Sequence, residues 1–375
     1  MARTERILIV GAGMAGLSLA IALRRRGIKP QILERSPSWP SHGAGIYLVG
    51  NAMRALRSLG LAEDVLSRGA EIHTQTLLSA RGRELAKIDT ASVWASCGPC
   101  VGVRRGDLQE VLVRHLGNAD LRFSSTVEGL KQLEGGVVVR CSDGTEHVYD
   151  LVVGADGVRS SIRQCLFGDS APRFCGQVAW RFLVRCPATI TGWTVVAGRR
   201  GAFLFIPVGG DQAYCYADAM VPEAIDDPIE GRVDRLKIRF AGYPSPVPEA
   251  LAELTSLHQI HFGAIEEVHQ EPWSAPGVVL IGDAAHATSP NMASGAAMAF
   301  EDSLVLARLI EAGGGIGEVI GEYTRQRTAR VRWVYEQTHR RDRIRNLPPL
   351  IRDPLTWLFA DRVYRAHYTP LVAEV

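Results

Sequence analysis

Ile7-Leu8-Ile9-Val10-Gly11-Ala12-Gly13-Met14-Ala15-Gly16 decides how this chain folds. The apolar run predicts a buried strand, the glycines a tight turn, and the Ala/Leu-rich stretch up to Arg24-Arg25-Arg26 a helix that Gly27 stops. Gly11 permits the sharp turn, Gly13 lets backbone approach a pyrophosphate, and Gly16 lets the helix pack closely on the strand. The amides at the helix start then face the phosphates. Residues 29–33 read as a second strand that ends at Glu34, where a carboxylate suits ribose hydroxyls. Glu34 favours an unphosphorylated ribose, which FAD and NAD share. The bland alternative, a glycine-rich packing turn, requires neither the acid nor the second strand.

Far along the chain a second strand-and-turn answers the first. Residues 276–281 predict a buried strand that delivers Gly282-Asp283-Ala284-Ala285-His286, followed by Ala287-Thr288-Ser289-Pro290 and a helix through Met298, Glu301, Asp302 and Leu306. A short carboxylate beside Gly suits a ribityl hydroxyl. Amides at a helix start suit the pyrimidine edge of an isoalloxazine, which carries negative charge when reduced. The two segments most economically bind opposite ends of one FAD.

Between them the pattern interleaves. A helix is expected over 51–60, a polar mixed segment up to Val101, then Arg105-Gly106-Asp107-Leu108-Gln109 entering a helix with Leu108, Val111, Leu112 and Leu116 on one face. Residues 135–150 predict a hairpin turning at Asp143-Gly144, and 151–153 a buried strand. That strand ends in Gly154-Ala155-Asp156-Gly157-Val158-Arg159-Ser160-Ser161-Ile162-Arg163, which puts a carboxylate and basic groups where ligands bind in α/β sheets. The alternative is a capped helix with a solvated Arg. From 176 to about 273 the pattern becomes extended, with strands over 178–184, 192–197, 202–208 and 213–219, the last two joined by Gly209-Gly210-Asp211. The expected architecture is α/β: a Rossmann-like FAD-binding domain (1–70, 101–175 and 274–330) interleaved with a mainly antiparallel β-sheet substrate domain (71–100 and 176–273) and C-terminal helices over 331–375.

Composition narrows the class. The 375 residues carry a formal net charge of +2, with no basic tail or aromatic-basic stripe, so nothing supports nucleic acid or a charged membrane surface as partner. No apolar run is long enough to span a membrane, and the first strand begins too early for a signal peptide, so the expectation is cytoplasmic. Seven cysteines, an odd count, fit reduced thiols. Cys97-Gly98-Pro99-Cys100 reproduces a redox tetrad, and a dithiol/disulfide oxidoreductase is therefore the rival function. No strand-turn-helix context surrounds it, and Gly313-Gly314-Gly315-Ile316-Gly317 lies between helical patterns, not after a strand that would seat a second dinucleotide. A halogenase would carry a Trp-x-Trp-x-x-Pro pattern, which is not found.

The three signatures GAGMAG (11–16), DGVRSSIR (156–163) and GDAAHATSP (282–290), in this order, resemble those of the class A, single-component FAD-dependent aromatic monooxygenases, the family of the para-hydroxybenzoate, salicylate and urate hydroxylases. The resemblance covers nearly the whole chain. It implies that Gly11, Gly13, Met14, Ala15 and Gly16 hold the pyrophosphate turn, with Glu34 and Arg35 at the adenosine ribose and Val127 at the adenine. It further implies Arg105 and Gln109 near the ribityl and pyrophosphate, Asp283 on FAD, Gly295 and Ala296 presenting amides to the flavin, and Asp156 touching both FAD and the nicotinamide cofactor. It implies NADH or NADPH as reductant, O2 as co-substrate, and hydroxylation of a small electron-rich aromatic through a flavin C4a-hydroperoxide, in a monomer or homodimer. Ala293-Ser294-Gly295-Ala296-Ala297 stands where such enzymes usually read Gly-Gln-Gly, and Gly50-Asn51 where they read Pro-Asn, which leaves the loop 43–50 freer near the flavin. His286 is read as a structural hydrogen-bonding group. No metal-ligand cluster or Ser-His-Asp set is evident. Phe203, Phe205, Tyr214, Tyr216 and Pro290 are the substrate-contact candidates, each strand pair sharing a face, although aromatics can equally fill a sheet core. Trp180-Arg181 reads as a sheet surface pair.

Overall fold

A computed structural model describes residues 6–39, 44–168, 170–199, 201–255 and 260–375. Its first layer is a six-stranded sheet in the order Ser274–Ala275, Val278–Leu280, Leu151–Gly154, Ile7–Val10, Gln31–Leu33, Asp120–Arg122. All neighbours run parallel except the Ser274–Ala275 edge. Ile7–Val10 and Leu151–Gly154 are buried at every position, as unbroken apolar runs in a two-side-covered parallel sheet should be. Because these strands are parallel, Gly11, Glu34, Asp156 and Gly282-Asp283 all emerge at the same carboxyl edge. The helices Met14–Arg24 and Gly295–Ala312 pack side by side there, joined by a 2.7 Å Ser18–Ser303 hydroxyl contact.

The second layer is a seven-stranded sheet in the order His261–Glu267, Arg173–Arg185, Gln212–Met220, Ala202–Pro207, Trp193–Ala197, Thr74–Ser79, Glu84–Asp89. Only the Trp193–Ala197 and Thr74–Ser79 pair is parallel. Side chains alternate, so the sheet has two different faces. One carries Phe182, Phe203 and Phe205 into a separate aromatic core with Phe240. The other faces the first layer across a cavity.

Several readings need adjustment. The span 176–273 is not all extended: Arg232–Phe240 and Val247–Ala252 are helices that cover the aromatic core. The supposed loop 43–50 is mostly the strand Gly45–Leu48, paired with Cys100–Arg104, so backbone pairing removes the freedom expected there. His42 and Gly43 lie outside the described residues. The C-terminal helix Ile316–Arg345 runs continuously through residue 330 and turns at Pro348 into Pro349–Val372, which lies along the cavity.

Candidate active site

A cavity of about 1030 Å³ separates the two sheets. At the carboxyl edge of the parallel sheet its wall is backbone. Gly11 has φ +103°, and a Cβ there would lie 2.5 Å from the Ala155 carbonyl oxygen; one on Gly16 would lie 1.9 Å from the Gly11 oxygen. These two glycines serve the turn and its packing. Gly13 differs: a Cβ there would meet nothing within 4 Å, because its exposed side faces the cavity. The helix Met14–Arg24 has no side-chain cap and no acid in its first turn, so its orphan amides are left for an anion. Met14 lines the cavity, whereas Ala15 is buried and its carbonyl accepts from Ser303. Glu34 also lines it, steadied by the Ala12 and Ser36 amides at 2.8 Å each. Arg35 is exposed outside the cavity wall, and Val127 is buried in the main core without reaching it.

The middle of the cavity is lined by Arg105, Gln109, Asp283 and Pro290, with Gly295 and Ala296 opening the 18-residue helix Gly295–Ala312. That helix too lacks a side-chain cap and a first-turn acid. Two uncapped helix starts and an unobstructed glycine facing one cavity fit a dinucleotide with a pyrophosphate at one end and a reducible, anion-forming ring at the other.

What holds the Gly282-Asp283 turn is a buried ion network that the motif reading did not contain. Asp302 accepts from the Gly282 amide at 2.8 Å, sits 2.7 Å from His286 Nε2, and accepts from Arg327 at 2.6 Å. Burial works against its ionisation, but the neighbouring His286 and Arg327 charges and these hydrogen bonds outweigh it and hold the carboxyl down to about 2. Glu301 binds Arg327, Arg330 and Asn51 in the same cluster. His286 therefore positions; it does not face the cavity.

Asp156 does not line the cavity; its Oδ2 accepts from the Ser161 amide at 2.7 Å and hydroxyl at 3.0 Å at the start of the helix Ser161–Phe167, while its Oδ1 is buried without a hydrogen-bond partner among the described residues. Arg163 is not solvated either: it is buried and donates to the carbonyls of Val158, Ser170 and Ala284, tying this motif to the Gly282 turn. Arg159 stays exposed and pairs with Glu266 at 3.0 Å.

At the far wall the strand register sorts the substrate-contact candidates. Tyr214 and Tyr216 line the cavity beside Ile206 and Leu204 of the neighbouring strand. Phe203 and Phe205, one residue out of phase, point into the aromatic core, and their reading as substrate contacts is overturned. Trp180 and Arg181 split the same way: the Trp180 indole donates to buried Asp227 at 2.7 Å, while Arg181 lines the cavity 5.4 Å from the Tyr216 ring centre.

Residues missed in sequence complete this wall. Gln75 and Trp193 are directly paired across the parallel strands, and both line the cavity. Gln75 Oε1 and Trp193 Nε1 are buried with no hydrogen-bond partner among the described residues. Asp218 lines the opposite border; one carboxylate oxygen accepts from Arg345 and the Ala202 amide, and the other is buried without a partner. Burial raises its carboxyl above the usual range although Arg345 opposes this. No local spacing signals these residues, because cross-strand pairing alone brings them together.

The cysteine tetrad is remote from this chemistry. Cys97 follows the end of the helix Thr90–Trp94 and Cys100 begins a strand; both are buried, free and absent from the cavity wall. Burial pushes the Cys100 thiol up to about 12 and raises Cys97 as well, the opposite of an activated dithiol.

Comparison with known proteins gives the family. Residues 4–338 match the family described as FAD binding domain. The chain is 36% identical over 331 residues to aurachin C monooxygenase/isomerase of Stigmatella aurantiaca, covering 86% of this chain and 85% of that protein. It is 31% identical over 337 residues to 2-heptyl-3-hydroxy-4(1H)-quinolone synthase of Pseudomonas aeruginosa, covering 88% and 87%. Its fold superposes on Klebsiella pneumoniae HpxO, solved with FAD and uric acid, with a TM-score of 0.90 at 24% identity, covering 98% and 97% of the chains. From the match over most of its length, the chain belongs to the class A FAD-dependent aromatic monooxygenases.

Proposed function

We propose that this enzyme uses NAD(P)H and O2 to hydroxylate the ring of a neutral, alkyl-bearing nitrogen heteroaromatic, with 2-alkyl-4(1H)-quinolones as the first class to test. The observation that carries this reading is the cavity face of the seven-stranded sheet. Its central row, Leu204, Val195 and Leu77 on adjacent strands, is apolar, and the unpartnered polar pair beside it, Trp193 N–H and Gln75 C=O, is uncharged. A buried donor and acceptor left unpaired cost free energy until a ligand satisfies them. A heterocycle offering an N–H or a carbonyl satisfies one member of the pair, and its alkyl substituent would cover the apolar row. The quinolone synthase among the relatives adds support of the same direction.

Bound FAD would supply the redox chemistry, accepting two electrons from the nicotinamide and activating O2 so that one oxygen atom enters the ring and the other leaves as water. The chain's own residues bind and orient. The amides after Gly13 take the pyrophosphate, Glu34 accepts from ribose hydroxyls, Arg105 and Asp283 grip the ribityl region, and the amides of Gly295 and Ala296 favour negative charge on the reduced ring. At the other border the free Asp218 oxygen stands ready to take a proton from a ring N–H or O–H. The helix Pro349–Val372 closes one side with Leu355 and Phe359 and keeps water from the reacting ring.

The arginines on the wall favour a second reading, a small aromatic carboxylate, since Arg181 and, beside the C-terminal helices, Arg341 line the cavity. Steady-state NADH and NADPH oxidation with oxygen uptake, scanned over alkylquinolones, aminohydroxybenzoates, hydroxypyridines and purines, decides between them. Stimulation by an alkylquinolone with an oxygenated product supports the first reading. Stimulation by a benzoate alone replaces it with the second.

A further inference from the structure

The first half of the helix Pro349–Val372 is apolar on both its cavity side and its outward side. Residues Leu355 and Phe359 look into the cavity, while Leu350, Ile351, Pro354, Trp357 and Leu358, at helical spacings of one, four, seven and eight, look outward. Leu350 is 91% exposed, Ile351 52%, Trp357 63% and Leu358 59%. Such a contiguous apolar surface on a folded protein marks a partner. Ile344, at the end of the preceding helix, is exposed beside it. Beyond Leu358 the outward face becomes polar, with Asp361, Arg362 and Arg365.

Charge around this patch is unbalanced. Asp353 is bound by Arg352 and Asp361 by Arg365, so the acids are neutralised in place. Arg343 and Arg362 are exposed and make no ion pair among the described residues. An apolar strip with an indole, and free guanidinium groups on the same helical hairpin, suits contact with an anionic membrane interface. We propose that the tip of this helical hairpin, Ile344 to Leu358, docks the enzyme peripherally on an anionic lipid bilayer, through a local patch that the near-neutral charge of the whole chain does not register. No helix among the described residues is long and apolar enough to cross a membrane, and span length says nothing about a helix that lies flat in the interface.

The cavity favours a bilayer over a second copy of this chain. Leu355 is both part of the cavity wall and 39% exposed, next to Ile351 around the helix. A rigid protein face on the patch would seal that border. A fluid lipid phase leaves it passable to an apolar molecule. The proposal does not depend on which aromatic is hydroxylated.

The test is sedimentation of the FAD-loaded full chain with phosphatidylcholine vesicles, with and without phosphatidylglycerol. The expected result is binding to the anionic vesicles that weakens with salt, with little binding to phosphatidylcholine alone. A triple variant Ile351→Ser, Trp357→Ser, Leu358→Ser should lower the partition coefficient by about tenfold or more, while FAD content and NAD(P)H oxidation in vesicle-free buffer stay unchanged. The charge reversals Arg343→Glu and Arg362→Glu should lower binding by about tenfold together, on anionic vesicles only. Light scattering after size exclusion closes the alternative. A wild-type dimer that the triple variant dissolves gives the patch to a second copy and overturns the proposal, as does wild-type protein that stays in the supernatant with both vesicles.

Discussion

The two ends of the cavity are built by different means. At the nucleotide end much of the wall is backbone, the uncapped amides of two helices and the bare surface at Gly13, with the side chains of Glu34, Arg105, Gln109 and Asp283 set between them. At the other end the groups aimed inward are side chains standing on one face of a sheet, and Gln75 Oε1 and Trp193 Nε1 have no hydrogen-bond partner among the described residues. Backbone groups cannot change without moving the chain, so that end is committed to one cofactor. Side chains on a paired sheet can change while the hydrogen-bond ladder holds, so the other end is free to vary its substrate. Relatives near 30% identity carry different substrates in their names, as this division leads one to expect.

The largest effect is expected at Gly13. Gly13→Val finds open space in the protein alone but fills the cofactor's approach, so FAD affinity should fall about 100-fold or more, roughly 2.7 kcal/mol, with the melting temperature of the cofactor-free protein unchanged. Flavin fluorescence titration and calorimetry read the two quantities. A matching loss of apo-protein stability would make Gly13 a packing glycine like Gly16. Next is Asp302→Asn, which leaves Arg327 buried against a weakened partner and should cost about 3–5 kcal/mol in chemical denaturation. The pH dependence has a definite sign. Asp302 is held from its ordinary 3.8 down to about 2, so the native state binds fewer protons than the unfolded one. Its stabilisation is present above about pH 4 and is lost as the pH falls towards 2, and the variant should lack that part of the acid limb.

The two faces of the substrate sheet give a paired test. Phe203→Ala should destabilise by about 3–5 kcal/mol and leave KM unchanged, whereas Leu204→Trp on the neighbouring position should block substrate with little change in stability. If both act on KM, the register assigned here is wrong. Gln75→Leu and Trp193→Phe should each raise KM about tenfold, near 1.4 kcal/mol, with kcat less affected and FAD retained. A fall in FAD content instead would move this pair to the cofactor. The smallest effect is expected for Cys97→Ala, which should leave turnover with NAD(P)H unchanged, since a raised thiol pKa disarms that sulfur.

How legible each region was in the sequence follows from the same division. The nucleotide end is local: Gly11, Gly13, Gly16 and Glu34 lie within one strand-helix-strand unit, so spacing alone predicted their geometry. Asp156 and Arg163 also lie in a local motif, but their side chains turned to a helix cap and to carbonyls, a choice that depends on what packs above them. Alternation could say that Phe203 and Phe205 share a face and Tyr214 and Tyr216 share another; it could not say which face met the cavity. That required the helices Arg232–Phe240 and Val247–Ala252, whose i, i+3, i+7 apolar positions Val233, Leu236 and Phe240 sit inside a stretch read as strands. Gln75 and Trp193 are more than a hundred residues apart and meet only through strand pairing.

The most direct test of the central claim is a single turnover of the FAD-loaded enzyme with NAD(P)H and a 2-alkyl-4(1H)-quinolone under 18O2, followed by mass spectrometry of the organic product. The expected result is a ring-hydroxylated product carrying one 18O atom, formed in proportion to the nicotinamide oxidised. Nicotinamide oxidation that yields hydrogen peroxide and no labelled product with any aromatic of the panel would contradict it.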